Sequence, residues 1–122
     1  MSEKKSVLKD KSFEFALAVV RLYKSLIETK REYVLSKQLL RAGTSVGANI
    51  REAQNAESTA DFVHKLGIAQ KECDESLYWL ELLYKSDFLN ETEFKDFHSK
   101  ANELLKMLRS AIITSKQKSH NS

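Results

Sequence analysis

Apolar positions recur along the chain in four stretches at helical spacing. In the first, about residues 12–28, Phe13, Ala16, Val20, Tyr23 and Ile27 share one face, and Phe15, Val19, Leu22 and Leu26 a second. A helix apolar on two faces is buried on two sides, so one face is expected in the core and the other at a subunit contact. Ser12 is the expected N-cap. A charged break from Thr29 to Glu32 follows. The second stretch, about 33–54, places Leu35, Leu39, Ala42, Val46, Ile50 and Ala53 at intervals of 4, 3, 4, 4 and 3, close to a heptad seam. Its interior is rich in small residues, among them Gly43 and Gly47, which share a face. Each costs a helix about 1 kcal/mol relative to Ala, and the expected return is close approach of another helix backbone. Arg41, Asn49 and Arg51 flank the pair, so it is not a membrane helix motif.

The third stretch, about 59–86, opens at Ser58 or Thr59 as cap, with Asp61 in its first turn. Phe62, Leu66, Ala69, Cys73, Leu80 and Tyr84 form its seam, widened by Leu77, Trp79 and Leu83. A turn at Asp87 to Asn90 precedes the fourth stretch, about 91–114, capped by Asn90 or Thr92 with Glu91 and Glu93 behind. There Phe94, Phe97, Ala101, Leu104, Leu108 and Ile112 carry the seam, and residues 115–122 are expected to form a frayed tail. Four amphipathic helices on short links predict one all-α domain, an antiparallel up-down-up-down four-helix bundle.

Composition narrows this further. A chain of 122 residues fits one domain, and the absence of Pro, with Gly only three times, disfavours sandwiches, barrels and Rossmann-type folds. The single cysteine, Cys73, excludes an internal disulfide, and the longest apolar run, Phe15 to Val20, is too short to span a membrane. A charged start with no apolar signal core gives an expectation of a cytoplasmic location. Charge is uneven: residues 1–54 carry net +5, residues 55–99 net −6 and residues 100–122 net +4. Such separation steers a polyanion to one face, or arranges head-to-tail subunit contacts.

The run from Ser36 through Arg41-Ala42-Gly43-Thr44-Ser45-Val46-Gly47-Ala48-Asn49-Ile50-Arg51-Glu52 to Ala53 resembles the signature of the bacterial four-helix-bundle family. That family is also called the ribosomal RNA intervening-sequence protein family. Asp61-Phe62, Ile68-Ala69, Lys71-Glu72, Glu75 and Tyr78-Trp79-Leu80-Glu81-Leu82-Leu83 extend the match. Ala53 stands where many members have Gly. The resemblance implies a left-handed bundle that assembles as a homopentamer around a central pore. It is similar also to the accessory protein of diversity-generating retroelements, a basic pentameric bundle that partners a reverse transcriptase and binds nucleic acid.

Gln38, Arg41, Ser45, Asn49 and Glu52 form a polar stripe beside the small-residue seam. It is either a ligand surface or a network fixing helix register or subunit pairing, with Arg41 and Asn49 meeting Glu72 or Glu75, and the structural role is the expectation. Glu72 and Glu75 lie three apart, as paired acid–base carboxylates do, but His64 is not spaced to complete a diiron motif with them. His120 lies in the tail. Cys73 sits between Glu72 and Asp74, which oppose thiolate formation, so it reads as a core residue. Tyr78 and Trp79 offer base-stacking surfaces, although aromatics beside Leu80 and Leu83 belong more often to a core or interface. No catalytic constellation, metal site or cofactor is expected, and the chain is not expected to be an enzyme.

The cations expected to meet a polyanion are Lys37, Arg41 and Arg51 on the second helix, and Lys106, Arg109, Lys116 and Lys118 near the C-terminus. Lys4, Lys5, Lys9 and Lys11 add a basic arm, and in an up-down-up-down bundle both chain ends lie at the same end. The leading expectation is a non-enzymatic oligomer that binds RNA or DNA through phosphates, with no membrane role. The alternative is a protein-interaction scaffold or accessory subunit with no direct nucleic-acid contact.

Overall fold

The computed structural model describes the backbone of residues 3–121 and the side chains of residues 7–118. Four helices follow in order: α1 (Glu3–Thr29), α2 (Leu35–Gln54), α3 (Thr59–Lys85) and α4 (Glu91–Asn121). Each packs on its chain neighbours, α4 returns to α1 along a thinner seam, and α1/α3 and α2/α4 form the diagonals. Residue pairing shows the antiparallel sense. Gly43 and Gly47 of α2 lie against Val19 and Ser12 of α1. Cys73 and Tyr84 of α3 meet Ala101 and Phe94 of α4. The molecule is the all-α four-helix bundle that the apolar periodicity predicts.

The predicted seams supply the core. Phe15, Val19, Leu22 and Leu26 enter from α1, Leu39, Val46 and Ile50 from α2, Leu66, Ala69, Cys73 and Leu80 from α3, and Ala101, Leu104 and Leu108 from α4. The other apolar face of α1 stays outside. Phe13 is 58% exposed and Ala16, Val20, Tyr23 and Ile27 are half-buried.

Two helix ends differ from expectation. Ser12 is not a cap: α1 begins nine residues earlier, and Ser12 is buried inside it, its hydroxyl donating to the Lys9 carbonyl at 2.9 Å. Leu8, one turn before Ser12, is also buried, so the apolar face carries the helix past the expected start. The expected tail from residue 115 is helical to Asn121. Nothing in Ser115 to Asn121 stops a helix, since neither Gly nor Pro occurs there. The caps at α3 and α4 agree with the sequence. Ser58 accepts the Asp61 amide at 3.0 Å, and Asn90 and Glu93 form a reciprocal capping box at 2.8 and 3.1 Å. After α3, Asp87 takes the left-handed conformation (φ 69°) in a Schellman closure, with the Phe88 amide on the Leu83 carbonyl.

The start of α2 uses a device that the pattern did not single out. Val34 occupies the cap position without a capping side chain. Glu32 reaches over instead: one carboxylate oxygen accepts the Val34 and Leu35 amides at 3.1 and 2.9 Å, and the other accepts the Ser36 amide at 2.6 Å. The Ser36 hydroxyl returns a bond to the Glu32 carbonyl at 2.7 Å. Glu32 is only 8% exposed. Burial pushes its carboxyl pKa up, but the three amides and the Ser36 hydroxyl outweigh this and hold it below the usual range.

A carboxyl held below its unfolded value contributes stability above the unfolded pKa of about 4.3, and loses it as pH falls through the folded value. Glu32→Gln is therefore expected to lower stability by about 1–3 kcal/mol at pH 7 and to converge on the wild type in acid. Urea unfolding midpoints across the acid range measure both effects.

The small-residue seam gives a second prediction. A Cβ on Gly43 would lie 2.9 and 3.0 Å from the Val19 methyls, whereas one on Gly67 meets nothing within 4 Å. Gly67→Ala is expected to stabilise the helix by about 1 kcal/mol. Gly43→Ala gains the same propensity but overpacks a buried β-branched side chain, so a net loss of about 1 kcal/mol is expected. Thermal melts of the two variants, with Val19→Ala added to restore room at Gly43, check the sign of each.

Candidate nucleic-acid interface

Antiparallel packing brings the start of α1, the end of α2, the start of α3 and the end of α4 to one end of the bundle. With Cys73 opposite Ala101, the start of α3 falls opposite about residue 115, so the last six residues of α4 project past it by roughly 9 Å. Lys9 and Arg51 gather at this end, lining one surface cleft with Asp10, Phe13 and Glu14. Lys116 and Lys118 stand exposed on the projecting turns of α4. Among the described residues none of these four cations forms an ion pair. Lys11 differs: it is tied to Glu103 across the α1–α4 seam, and that bond, with the charge behind it, raises its ammonium pKa. Lys4 and Lys5 belong to α1 by backbone, but their side chains, like that of His120, lie outside the described residues.

The seven expected nucleic-acid residues are all exposed, but they do not form one surface. Arg51 lies near the end of α2 and Lys116 and Lys118 near the end of α4, toward the same end of the bundle but on diagonal helices. Lys37 and Arg41 lie toward the opposite end of α2, while Lys106 and Arg109 lie midway along α4. Since α2 and α4 are diagonal, these two pairs face away from each other. The expected merging of the two terminal groups is thus met only by Lys9, Lys116 and Lys118, which lie toward one end, while Lys106 and Arg109 stand away from it and the second-helix group is divided.

The polar stripe of α2 runs along the outer side of the α2–α3 seam. Its bonds are mostly local: the Ser45 hydroxyl donates to the Arg41 carbonyl at 2.6 Å, and the Asn49 amide to the Ser45 carbonyl at 2.8 Å. Asn49 thus bonds to its own helix and not to a carboxylate. Glu52 faces Lys65 of α3 at 3.8 Å. Arg41 forms no ion pair with Glu72 or Glu75 among the described residues, though its charge reaches Glu72. Burial and then the Glu75 charge raise the Glu72 pKa, and Arg41 and Lys71 oppose them. Gln38 lies half-buried at the head of the stripe.

Glu75 is engaged locally as well, accepting the Trp79 indole N–H at 3.2 Å. Trp79 packs against the core and meets Tyr78 edge-on, with ring centroids 4.9 Å apart, while Tyr78 is 56% exposed. Cys73 is fully buried, and its thiol donates to the Ala101 carbonyl at 3.2 Å. Burial pushes its pKa up to about 12, with Asp74 adding to the effect and Arg109 opposing it. Desolvation therefore outranks the acidic neighbours that the sequence pointed to. At pH 8 the thiolate fraction is about one in ten thousand. A disulfide reagent such as Ellman's is expected to leave the folded protein unlabelled at that pH and to label it in full once urea unfolds the bundle.

Leu17 escaped the sequence reading. It is 40% exposed and lies between Phe13 and Val20 on the outer face of α1. Its position one turn after Phe13 was the available signal. No helix among the described residues is long and apolar enough to cross a membrane.

Residues 4–110 match the family model described as 23S rRNA-intervening sequence protein. Comparison with curated proteins returns no match. Among solved structures, the chain is similar to a protein of unknown function from the S23 ribosomal protein family of Bacteroides thetaiotaomicron. The two share 50% identity over 89% of this chain and 97% of that one, with a TM-score of 0.88.

Proposed function

Because the chain belongs to the 23S rRNA-intervening sequence protein family, we propose that it is a non-enzymatic, homo-oligomeric bundle of the bacterial cytoplasm that binds nucleic acid, RNA first, through phosphate contacts. The observation that carries this reading is a set of cations toward one end, Lys9, Arg51, Lys116 and Lys118, that form no ion pair among the described residues. Cations without a carboxylate partner are available to displace counterions from a phosphate backbone, which favours a polyanion without requiring base recognition. Lys106 and Arg109 add positive charge midway along α4, and Lys37 and Arg41 add it along α2. The pairing of Glu75 with Trp79 and the raised thiol of Cys73 support a structural role for the groups that otherwise resemble catalytic ones. Five copies is the number that the family resemblance implies.

A second reading, a protein-interaction scaffold, is favoured by the exposed apolar row on α1. The two separate in solution, because a protein partner survives nuclease treatment and moderate salt. Fluorescence anisotropy of nuclease-treated protein against a structured RNA is expected to show affinity falling steeply with salt. Arg51→Glu and Lys116→Glu are each expected to weaken binding and to reduce the slope of log K against log salt by about one. Lys95→Glu, beside Glu91 at the opposite end, is expected to bind as the wild type does. Absence of binding at low salt would remove the nucleic-acid reading.

A further inference from the structure

The cleft that holds Lys9 and Arg51 combines an exposed ring with charges of both signs. Its volume is about 360 Å³, at the small end of the range for sites that hold one small ligand. Phe13 lies in it at 58% exposure, with Lys9, Arg51, Asp10 and Glu14 around the ring. Helical spacing orders these groups: Lys9 and Phe13 form one row on α1, and Asp10 and Glu14 the next. Ser12 and Val19 mark the side of α1 that faces the α2 glycines, and the Lys9–Phe13 row follows on that side, beside Arg51. The Asp10–Glu14 row lies further round toward α4, where the Glu14 charge reaches Lys11 and Lys11 bonds Glu103. The cleft is therefore cationic on one side of the ring and anionic on the other. Among the described residues none of its four charged groups forms an ion pair.

The carboxylates argue against a cleft that serves phosphates alone, since each repels a polyanion. A ligand that matches the whole cleft carries negative charge at one end, a flat π-face in the middle and hydrogen-bond donors at the other end. A nucleotide has this layout. Its base stacks on an exposed ring only when it is out of a helix, and its pairing edge is free only when it is unpaired. Guanine offers two adjacent donors on that edge, N1–H and the N2 amine, and an ionised carboxylate offers two acceptor oxygens. Adenine, cytosine and uracil each offer a single donor group there.

We infer that this cleft takes an unpaired guanine nucleotide of a single strand, with the base on the Phe13 ring, its pairing edge on the Asp10–Glu14 row and its phosphates on Lys9 and Arg51. This inference rests on the nucleic-acid reading above and deepens it, adding a base to a contact otherwise made through phosphate. It also reverses an expectation. Phosphate contacts alone favour a duplex, whose charge density exceeds that of a single strand, whereas a stacked, unpaired guanine favours the single strand.

The test is fluorescence anisotropy of the whole chain against labelled oligouridine, the same strand with one central guanosine, that strand with inosine in place of guanosine, and the guanosine strand annealed to its complement. The guanosine strand is expected to bind about fivefold tighter than oligouridine, and tighter than the inosine strand, which lacks the N2 amine, and the duplex. Phe13→Ala is expected to weaken binding of the guanosine strand about tenfold and to leave the duplex unchanged, while Phe13→Tyr keeps a ring and binds as the wild type does. The double variant Asp10→Asn with Glu14→Gln separates the readings by sign. Removing two negative charges tightens binding of every strand if phosphate alone is held, but weakens the guanosine strand if the carboxylates meet its base. All these side chains are exposed, and circular dichroism checks the fold; should Phe13→Ala lose helicity, Phe13→Leu removes the ring and keeps apolar bulk. Absence of binding to all four probes at low salt overturns the nucleic-acid reading and this inference together. Salt-dependent binding that favours the duplex, that ignores the guanosine, or that the double variant tightens for the guanosine strand overturns this inference alone.

Discussion

At Gly43 the backbone of α2 lies so close to Val19 that a single added carbon would sit 2.9 Å from its methyl group. Four residues on, Gly47 lies against the Ser12 backbone. These two approaches fix how α1 is rotated on α2. With Val19 and Ser12 turned toward the glycines, Phe15, Leu22 and Leu26 point into the core, and Phe13 and Leu17 are left outside. The helices could not come so close with a larger residue at Gly43, because a packed interior has no slack for an extra methyl group beside a stiff β-branched side chain. The conformational cost of a glycine inside a helix is thus offset by packing on one side of the molecule, and it determines which face is offered on the other.

Topology then turns a one-dimensional charge pattern into a three-dimensional one. The basic blocks at the two ends of the chain flank an acidic middle in sequence. In the bundle, the start of α1 and the end of α4 lie toward one end, as does Arg51 near the end of α2, where a cation also suits the helix dipole. The acidic middle spreads over the outside of α3 and the entry to α4, where Glu91 and Glu93 occupy the first turn. Burial sorts the titratable groups in the same way. Glu32 is withdrawn from water and stays ionised because three amides face it, whereas Cys73 is withdrawn and stays protonated because only a carbonyl does.

Much of this was legible in the chain itself. Period and spacing predicted four helices, the seam residues that fill the core, the Ser58 cap and the Asn90–Glu93 box, because each depends on residues within one or two turns. The small residues at Gly43 and Gly47 pointed to a close approach for the same local reason. Ser12 was misread as a cap because serine has the same chemistry at a helix start and inside a buried helix, where its hydroxyl bonds back to a carbonyl one turn earlier. Glu32 was read as part of a charged break because capping from outside the helix depends on how the loop folds back.

The candidate surfaces divide along the same line. By itself, the sequence determined that α1 has two apolar faces and that charge alternates in blocks. Only the tertiary structure decided which face of α1 is buried, that Lys37 and Arg41 stand apart from Lys106 and Arg109, and that the polar stripe bonds chiefly along its own helix. Helical periodicity gives the angle of a side chain around its own axis and nothing about the rotation of that axis in the bundle. That rotation is chosen by which side chains fit together, and here the fit of Val19 against Gly43 makes the choice.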